Sequence, residues 1–209
     1  KIKKIKLEII IVESNSTDGT RDEALKFKNN KNIKLILQPN AKGKGNAVIE
    51  GFKHVTGDYV IIQDADLEYD PDELINLVEI IDKDLADVVY GSRMLVRKAH
   101  KVHYYYSYLA NLIITHFSNL LTNLVLSDVE TAAKAFKGDI IRNIIWRSKG
   151  FEIENEMTIK LKKVGCIFYE IPFSYYGRKF NEGKKIRPFD GVKAIFYILY
   201  YSISTLFYN

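Results

Sequence analysis

Short runs of apolar, mostly β-branched residues alternate with segments of helical periodicity over roughly the first 90 residues of the chain. The strand-like runs cover 7–12, 33–37, 58–63 and 87–90. Helical stripes lie between them, and the third stripe comprises Leu74, Leu77, Val78 and Ile81. This alternation predicts an α/β domain with a doubly wound, mainly parallel sheet, in which ligands bind beyond the carboxyl ends of the strands.

Two of the predicted helices have recognisable N-terminal signals. Thr20 and Glu23 have the spacing of a capping box. Asp70 and Pro71 precede an acidic first turn, which is typical of a side-chain N-cap followed by a proline at the first helical position.

The second half of the chain has a different pattern. Residues 102–127 contain no Lys, Arg, Asp or Glu, yet polar residues interrupt them too often for a membrane span. They predict a helix that lies on a membrane or over an acceptor site, or one packed on the sheet with a polar back. A helical stripe at 153–164 and a strand at 166–171 follow. The aromatic tail 192–208 predicts an interfacial helix.

Length and composition favour one globular domain of 209 residues. We divide it into a nucleotide-sugar-binding half (1–101), an acceptor half (102–187) and the C-terminal helix (188–209). The formal charge of +5 suits phosphate-rich partners or an anionic membrane. Aromatic residues cluster in uncharged segments rather than among Lys and Arg, so we expect no nucleic-acid partner. Cys166 is the only cysteine and fits a reducing, cytoplasmic compartment.

The acidic segment Asp64-Ala65-Asp66 follows the third predicted strand directly. Two carboxylates so close together at the end of a buried strand repel each other unless a cation lies between them. Hard oxygen ligands suit Mg²⁺ or Mn²⁺, and Glu68 adds a third carboxylate. Turns produce the same spacing without any function, so the pattern gains meaning only from the neighbouring loops.

Two further loops contribute polar side chains to the same edge of the sheet. Glu13 and Ser14 follow the first predicted strand and are expected to face the ligand, while the rest of that loop, 15–20, makes turns. The glycine-rich segment 41–46 fits neither the P-loop nor the dinucleotide pattern. A glycine turn at a helix N-terminus with Lys42 and Lys44 nearby is still expected to attract a phosphate.

These segments together resemble the inverting family 2 glycosyltransferases of GT-A fold, and among them the polyprenyl- and dolichyl-phosphate sugar synthases. The resemblance covers nearly the whole chain in order. The matching stretches are 9–20, 42–46 with Gly51 and Phe52, 56–67, 91–93, Asp128 with Thr131 and 134–136, 172–178 and 182–184.

The resemblance implies a role for each matched residue. The nucleotide-sugar site would comprise Glu13, Ser14, Lys44, Asp64, Ala65 and Asp66, and the metal site Asp64, Asp66 and Glu68. Arg93, Arg178 and Lys184 would contact phosphate groups, and Arg93 with Asp128 would be catalytic. The implied reaction transfers a sugar from a nucleotide-sugar donor to a polyprenyl or dolichyl phosphate, with the enzyme peripheral on the cytoplasmic face of a membrane.

The chain departs from the family pattern in three places. Glu13-Ser14 stands where the family has two Asp, and Glu68 where close relatives have Gln. The family's first strand, ending in Pro-x-Tyr-Asn-Glu, has no counterpart, and the chain begins with Lys1. We therefore expect that the chain begins inside a longer polypeptide and lacks the first strand of the fold.

The acceptor determines whether a general base is needed. A lipid phosphate is largely ionised at neutral pH, whereas a hydroxyl needs a base. The histidines are predicted to be solvated. The candidate bases are Asp128, which we favour, Glu130, and the series Glu152, Glu154 and Glu156. Transfer to a sugar hydroxyl of a surface polysaccharide, and a nucleotide-binding scaffold without catalysis, are the two alternatives.

Overall fold

A computed structural model describes residues 6–95, 101–102, 104–178 and 188–204. The strands are β1 (Ile9–Glu13), β2 (Ile33–Leu37), β3 (Tyr59–Ile62), β4 (Val88–Ser92), β5 (Lys134–Lys137) and β6 (Phe168–Pro172). The helices are α1 (Thr20–Leu25), α2 (Lys44–Phe52), α3 (Leu74–Asp82), α4 (Tyr105–Thr122), α5 (Gly138–Asn143), α6 (Ile153–Lys163) and α7 (Pro188–Ser204). A 3-10 turn, Pro71–Glu73, leads into α3.

The strands form two sheets. β1 and β2 pair in parallel, and the other four strands form a sheet of order β3-β5-β4-β6. In the larger sheet β4 and β6 are parallel, but β5 runs antiparallel to both β3 and β4. Three of these four strands therefore run in the same direction, and the sheet is mainly parallel with β5 as its antiparallel strand. Strand β5 follows α4 in the chain and lies between β3 and β4 in the sheet.

Side chains of the larger sheet alternate between two apolar clusters, one on each face. Val88 and Tyr90 face a cluster that includes residues of α2, α5, α6 and α7, whereas Val89 between them faces α3. Leu77 and Ile81 are the α3 side chains of that second cluster. Helices thus cover both faces, as the alternation of elements predicted.

The two helix-start predictions had different outcomes. The Asp70 carboxylate accepts a hydrogen bond from the backbone N–H of Asp72 at 3.0 Å, which confirms the predicted cap. The capping box at Thr20 was wrong, since Gly19 is the N-cap of α1, with φ 91°, and makes no side-chain cap. A glycine adopts that left-handed conformation without the steric cost that a side chain would bring.

Helix α4 has the reverse of the usual amphipathic arrangement. Its buried side chains are mostly polar, namely Asn111, Ile114, Thr115, Ser118 and Thr122. Its outward side is apolar, with Tyr106 at 83% and Leu120 at 69% exposure, and Phe196 on the neighbouring α7 is 65% exposed. The helix packs on the domain, but the alternative with a polar back was wrong, since the polar side faces inward and the apolar side outward. The alternative of a helix that lies on a membrane or over an acceptor site stays a prediction. Within the described residues no helix is sufficiently long and apolar to span a bilayer.

Candidate functional site

The predicted carboxylates lie in an acidic loop, residues 64–68, at the carboxyl end of β3. Asp64, Asp66 and Glu68 are partly buried, while Ala65 between the aspartates is exposed. Leu67 adopts φ 61°, a left-handed conformation that is uncommon for a residue with a side chain. The chain reverses there, and the backbone N–H of Glu68 donates to Asp66 Oδ1 at 3.2 Å.

Lys44 contacts the first carboxylate of the acidic loop. Its Nζ lies 2.9 Å from Asp64 Oδ2 and 3.0 Å from Glu154 Oε1. Burial by itself would lower the pKa of Lys44, but the two carboxylates outweigh it and raise the pKa above its usual value. The predicted phosphate-binding lysine is therefore, in this structure, the counter-ion of Asp64.

Arg178 contacts the other two carboxylates. Its Nη2 lies 3.1 Å from Asp66 Oδ2, its Nε lies 3.2 Å from Glu68 Oε1, and its backbone N–H donates to the same Glu68 oxygen at 2.8 Å. Burial raises the pKa of Asp66, and repulsion from Glu68 and Asp64 adds to it despite the nearby guanidinium. Excess negative charge thus remains in the loop.

The acidic loop suits a divalent cation by its ligand chemistry and its charge. Carboxylate oxygens are the donors that Mg²⁺ and Mn²⁺ prefer, and a cation would relieve the repulsion around Asp66. Among the described residues, however, no three Asp, Glu, His or Cys side chains converge closely enough to hold a metal by themselves. The three predicted ligands are instead divided between the cations of Lys44 and Arg178.

Arg93 and Asp128 form the second charged pair of the site. Arg93 Nε lies 2.6 Å from Asp128 Oδ2, and Nη2 lies 2.7 Å from Oδ1. The Asn111 amide of α4 donates to Oδ1 at 3.0 Å. Burial would raise the pKa of Asp128, but the guanidinium and hydrogen bonds of Arg93 outweigh it and hold the pKa below its usual range. Asp128 is fully buried and both oxygens are occupied, which favours positioning of Arg93 over proton transfer.

Tyr175 connects the two charged clusters, and the sequence analysis missed it. Its hydroxyl donates to Glu68 Oε2 at 3.1 Å, while the Arg93 guanidinium lies 5.3 Å from the centre of its ring. The ring also packs on Tyr69. Tyr175 lies inside the segment 172–178 on which the family resemblance rests, and only the folded arrangement reveals its contacts.

Glu13 and Ser14 make hydrogen bonds that hold the loop after β1 in place. Glu13 is buried and accepts hydrogen bonds at 2.6 Å from the backbone N–H of Ser16 and from Arg21 Nε. The Ser14 hydroxyl donates to Gln38 Oε1 at 2.8 Å. Their predicted contact with a nucleobase stays a prediction, and this geometry gives Glu13 a structural role.

The glycine-rich turn is docked on a loop of the second half. The backbone N–H groups of Gly45 and Asn46 donate to the carbonyls of Gly150 and Lys149 at 3.1 and 3.0 Å. A phosphate at the start of α2 would have to displace these bonds. These two amides are occupied in the described conformation, and phosphate binding at this helix N-terminus stays a prediction.

Of the remaining carboxylates weighed as bases, all but one contact a cation or backbone N–H groups. Glu152 accepts from the backbone of Lys149 and Gly150, and Glu156 accepts from the backbone of 147–148 and pairs with Lys160. Glu154 is buried between Lys44 and Lys134. Glu130 is the exception, since its described hydrogen bond is with a neutral amide.

Lys184, predicted to contact phosphate, lies outside the described residues.

Comparison with known proteins gives a family and relatives. A family model described as "Glycosyl transferase family 2" matches residues 1–145. The low-salt glycan biosynthesis hexosyltransferase Agl6 of Haloferax volcanii is 27% identical over 194 residues, or 91% of this chain and 45% of that protein. Dolichol-phosphate mannosyltransferase of Pyrococcus furiosus is 29% identical over 183 residues, or 85% and 50%. The chain thus spans about half the length of these two relatives.

Solved structures share the fold. Glucosyl-3-phosphoglycerate synthase from Mycobacterium tuberculosis matches 94% of this chain and 68% of its own, with TM-score 0.66 and 17% identity. TarS of S. aureus matches 94% of this chain and 62% of its own, with TM-score 0.55 and 16% identity. The mycobacterial synthase has been crystallised with Mn²⁺ and UDP and with UDP-glucose. The likeness confirms the GT-A fold, although β5 makes the sheet mixed.

Proposed function

The chain belongs to glycosyl transferase family 2, and we propose that it transfers a hexose from a nucleotide sugar to a polyprenyl or dolichyl phosphate at a membrane surface. The observation that carries the proposal is the juxtaposition of the acidic loop with two arginines. Arg178 contacts Asp66 and Glu68 directly, and Tyr175 joins Glu68 to Arg93. A carboxylate site for a metal and a cationic site for phosphate would thereby lie side by side.

The donor would lie on the acidic loop. Asp64, Asp66 and Glu68 would hold Mg²⁺ or Mn²⁺, which neutralises the charge of a departing diphosphate when bound. The ion pair with Lys44 would hold Asp64 in place. Arg178 would contact phosphate oxygens of the donor, because a guanidinium binds a phosphate through the same donors that it offers to a carboxylate.

The acceptor phosphate would lie against Arg93. The Asp128 carboxylate and the Asn111 amide orient the guanidinium, and Tyr175 covers one face of it. Arg178 would add positive charge, as would Lys184 by the family resemblance. A phosphate monoester with a second pKa of about 6 is already largely ionised at neutral pH. The displacement then needs no general base, in keeping with the engagement of Asp128, Glu152, Glu154 and Glu156.

The outer apolar surface of α4 and α7 supports a lipid-linked acceptor. Tyr106, Leu120 and Phe196 are all more than half exposed on it. Exposed apolar surface of this kind is typical of protein or membrane contact. The inward side of α4 supplies Asn111 to the Arg93 pair, so one helix would meet the lipid and also support the phosphate site.

Two relatives have names consistent with this acceptor class. They are the dolichol-phosphate mannosyltransferase described above and an undecaprenyl-phosphate mannosyltransferase of Micrococcus luteus, which is 26% identical over 85% of this chain and 75% of that protein. These names support the acceptor class and leave the sugar of this chain to experiment.

The experiment measures sugar transfer from UDP-glucose, UDP-N-acetylglucosamine and GDP-mannose, with Mn²⁺ or EDTA, to undecaprenyl phosphate in detergent. We expect metal-dependent transfer from one donor into the lipid phase, lost in Asp66→Asn. Asp72→Asn, an exposed carboxylate outside the acidic loop, is the matched control. Transfer only to soluble sugar hydroxyls would contradict the acceptor class. Donor binding without turnover to any acceptor would contradict the transferase proposal.

A further inference from the structure

Glu130 lies on a turn, residues 127–131, whose backbone is fixed on several sides. Glu170 of β6 accepts from the N–H groups of Ser127 and Asp128, and Thr115 of α4 accepts from Val129 N–H at 3.2 Å. The Thr131 hydroxyl donates to the carbonyl of Gly91 at 2.6 Å. A side chain on so constrained a turn has a defined position beside Arg93, which is anchored by the same turn through Asp128.

The described neighbours of Glu130 are one neutral amide and several charged groups. Its Oε1 accepts from the Asn155 amide at 2.6 Å, and Glu154 is the next residue on α6. Lys134 of β5 and Arg93 after β4 are the cations in electrostatic range. Lys134 is itself bound to Glu154 and lies near Lys44. Residue 130 as a whole keeps partial exposure.

Burial raises the pKa of Glu130 to about 7, with a further contribution from Glu154 that Lys134, Asn155 and Arg93 only partly offset. A carboxyl with a pKa of about 7 is about half protonated at neutral pH, and its protonated fraction rises as the pH falls. Protonated, it has an O–H donor and no charge. An ionised carboxylate in the same place would repel a phosphate bound to Arg93.

We propose that Glu130 contacts the acceptor phosphate as a neutral carboxyl and donates a hydrogen bond to one of its oxygens. The inference rests on the proposed phosphate acceptor and assigns to it a recognition residue. No proton transfer is required, since the proton stays on Glu130 while the phosphate oxygen forms its bond to the sugar and the diphosphate departs. The neutral donor recognises the phosphate without adding negative charge beside it.

The test is the pH dependence of transfer to undecaprenyl phosphate by wild type and Glu130→Gln. In wild type, kcat/KM for the acceptor should fall above about pH 7, approaching tenfold per pH unit, because ionisation of the free enzyme governs this ratio. The kcat limb should lie at higher pH, since a bound dianion opposes ionisation of the carboxyl. Glutamine is a neutral donor at every pH, so the variant should lose the alkaline limb and exceed wild type at pH 8.5.

Three outcomes overturn the inference. They are an alkaline limb retained in Glu130→Gln, activity lost at all pH values with donor binding intact, and improved transfer to sugar hydroxyls. The second outcome would make Glu130 a general base. Absence of transfer to phosphate by wild type at any pH would contradict the proposed function instead. If the variant does not fold, a ¹³C carboxyl titration of wild type with and without farnesyl phosphate tests the same point, and an unchanged Glu130 titration overturns it.

Discussion

Lys44 and Asp64 are joined by a 2.9 Å ion pair, and the same ammonium lies 3.0 Å from Glu154. One lysine therefore connects a carboxylate of the acidic loop to a carboxylate of α6. The Lys44 side chain is 18% exposed and that of Glu154 3%, so the ion pair between these two residues is largely shielded from water. The position of Asp64 depends on a cation that the glycine-rich turn supplies.

Replacing Lys44 by Gln should weaken both the fold and donor binding. Two carboxylates would lose their shared counter-ion, and breaking a shielded pair costs about 3 kcal/mol. Urea unfolding should show that loss, and calorimetry should show weaker binding of the nucleotide sugar. Lys42→Gln, at an exposed neighbour, is the control and should change neither quantity. Equal effects of the two substitutions would contradict the role of the ion pair.

Replacing Arg178 by Gln should tighten Mn²⁺ binding while slowing transfer. The guanidinium neutralises Asp66 and Glu68 in the described conformation, so it competes with a metal for the same oxygens. Its removal should also remove a phosphate contact. Metal titration followed by electron paramagnetic resonance measures the first effect, and turnover measures the second. Arg142→Gln, which alters a bond to the Gly57 carbonyl, should leave both unchanged. Weaker Mn²⁺ binding in Arg178→Gln would refute the competition.

Gly45→Ala should destabilise the domain by about 1–3 kcal/mol through overpacking. A Cβ at this position would lie 2.5 Å from the Ser148 carbonyl oxygen and 2.8 Å from that of Gly150, and both are backbone atoms. Gly51→Ala in the same helix is the matched control, since its Cβ would meet only Val12 Cγ2 at an ordinary 3.6 Å. The control should be stabilising by about 0.5–1 kcal/mol. Thermal and urea unfolding of both variants checks the contrast.

Asp128 should make stability fall at acid pH. Its pKa is lowered in the folded protein, so it contributes stability above its unfolded pKa of about 3.9, and this contribution is lost as pH falls through the folded value. Asp128→Asn should cost about 3–5 kcal/mol at pH 7, because it leaves Arg93 without its counter-charge. The variant should also show a shallower decline below about pH 4. Urea unfolding from pH 7 to pH 3, with Asp72→Asn as control, measures both.

The outer surface of α4 and α7 should bind lipid. Replacing Tyr106, Leu120 and Phe196 together by Ser should reduce sedimentation with anionic vesicles several-fold. Each serine would bury less apolar area in the membrane interface than the side chain that it replaces. Phe27→Ser is the control and should have no effect, because Phe27 is 45% exposed but lies just after α1, outside α4 and α7. Donor binding without vesicles should stay unchanged in all variants. Unchanged sedimentation of the triple variant would leave this surface without a lipid role.

Periodicity predicted most elements correctly because local patterns determine them. The strand at 33–37 was predicted at its observed limits, and α6 was predicted at 153–164 against the observed Ile153–Lys163. Strand β5 was missed because lysines flank its two apolar residues. The partner that lets Lys134 be buried, Glu154, lies 20 residues away along the chain. No local pattern carries that information.

Most residues of the candidate site were predicted, but the ion pairs between them were not. The acidic loop, Arg93 and Asp128 were all found from motif and position. Which cation holds which carboxylate depends on the packing of distant segments, as with Arg178 and Glu68, 110 residues apart. The contacts of the glycine-rich turn were missed for the same reason, since the carbonyls that occupy its amides belong to residues about 100 positions later.

The placement of β5 between β3 and β4 has a consequence for how the protein is made. As the chain leaves the ribosome, β3 and β4 emerge well before the strand that joins them. Their facing edges stay unpaired until synthesis has passed Lys137. Unpaired edges of apolar strands invite association between nascent chains. The interval between residues 92 and 137 is therefore the stage at which a chaperone, or slow translation, would decide the yield of folded protein.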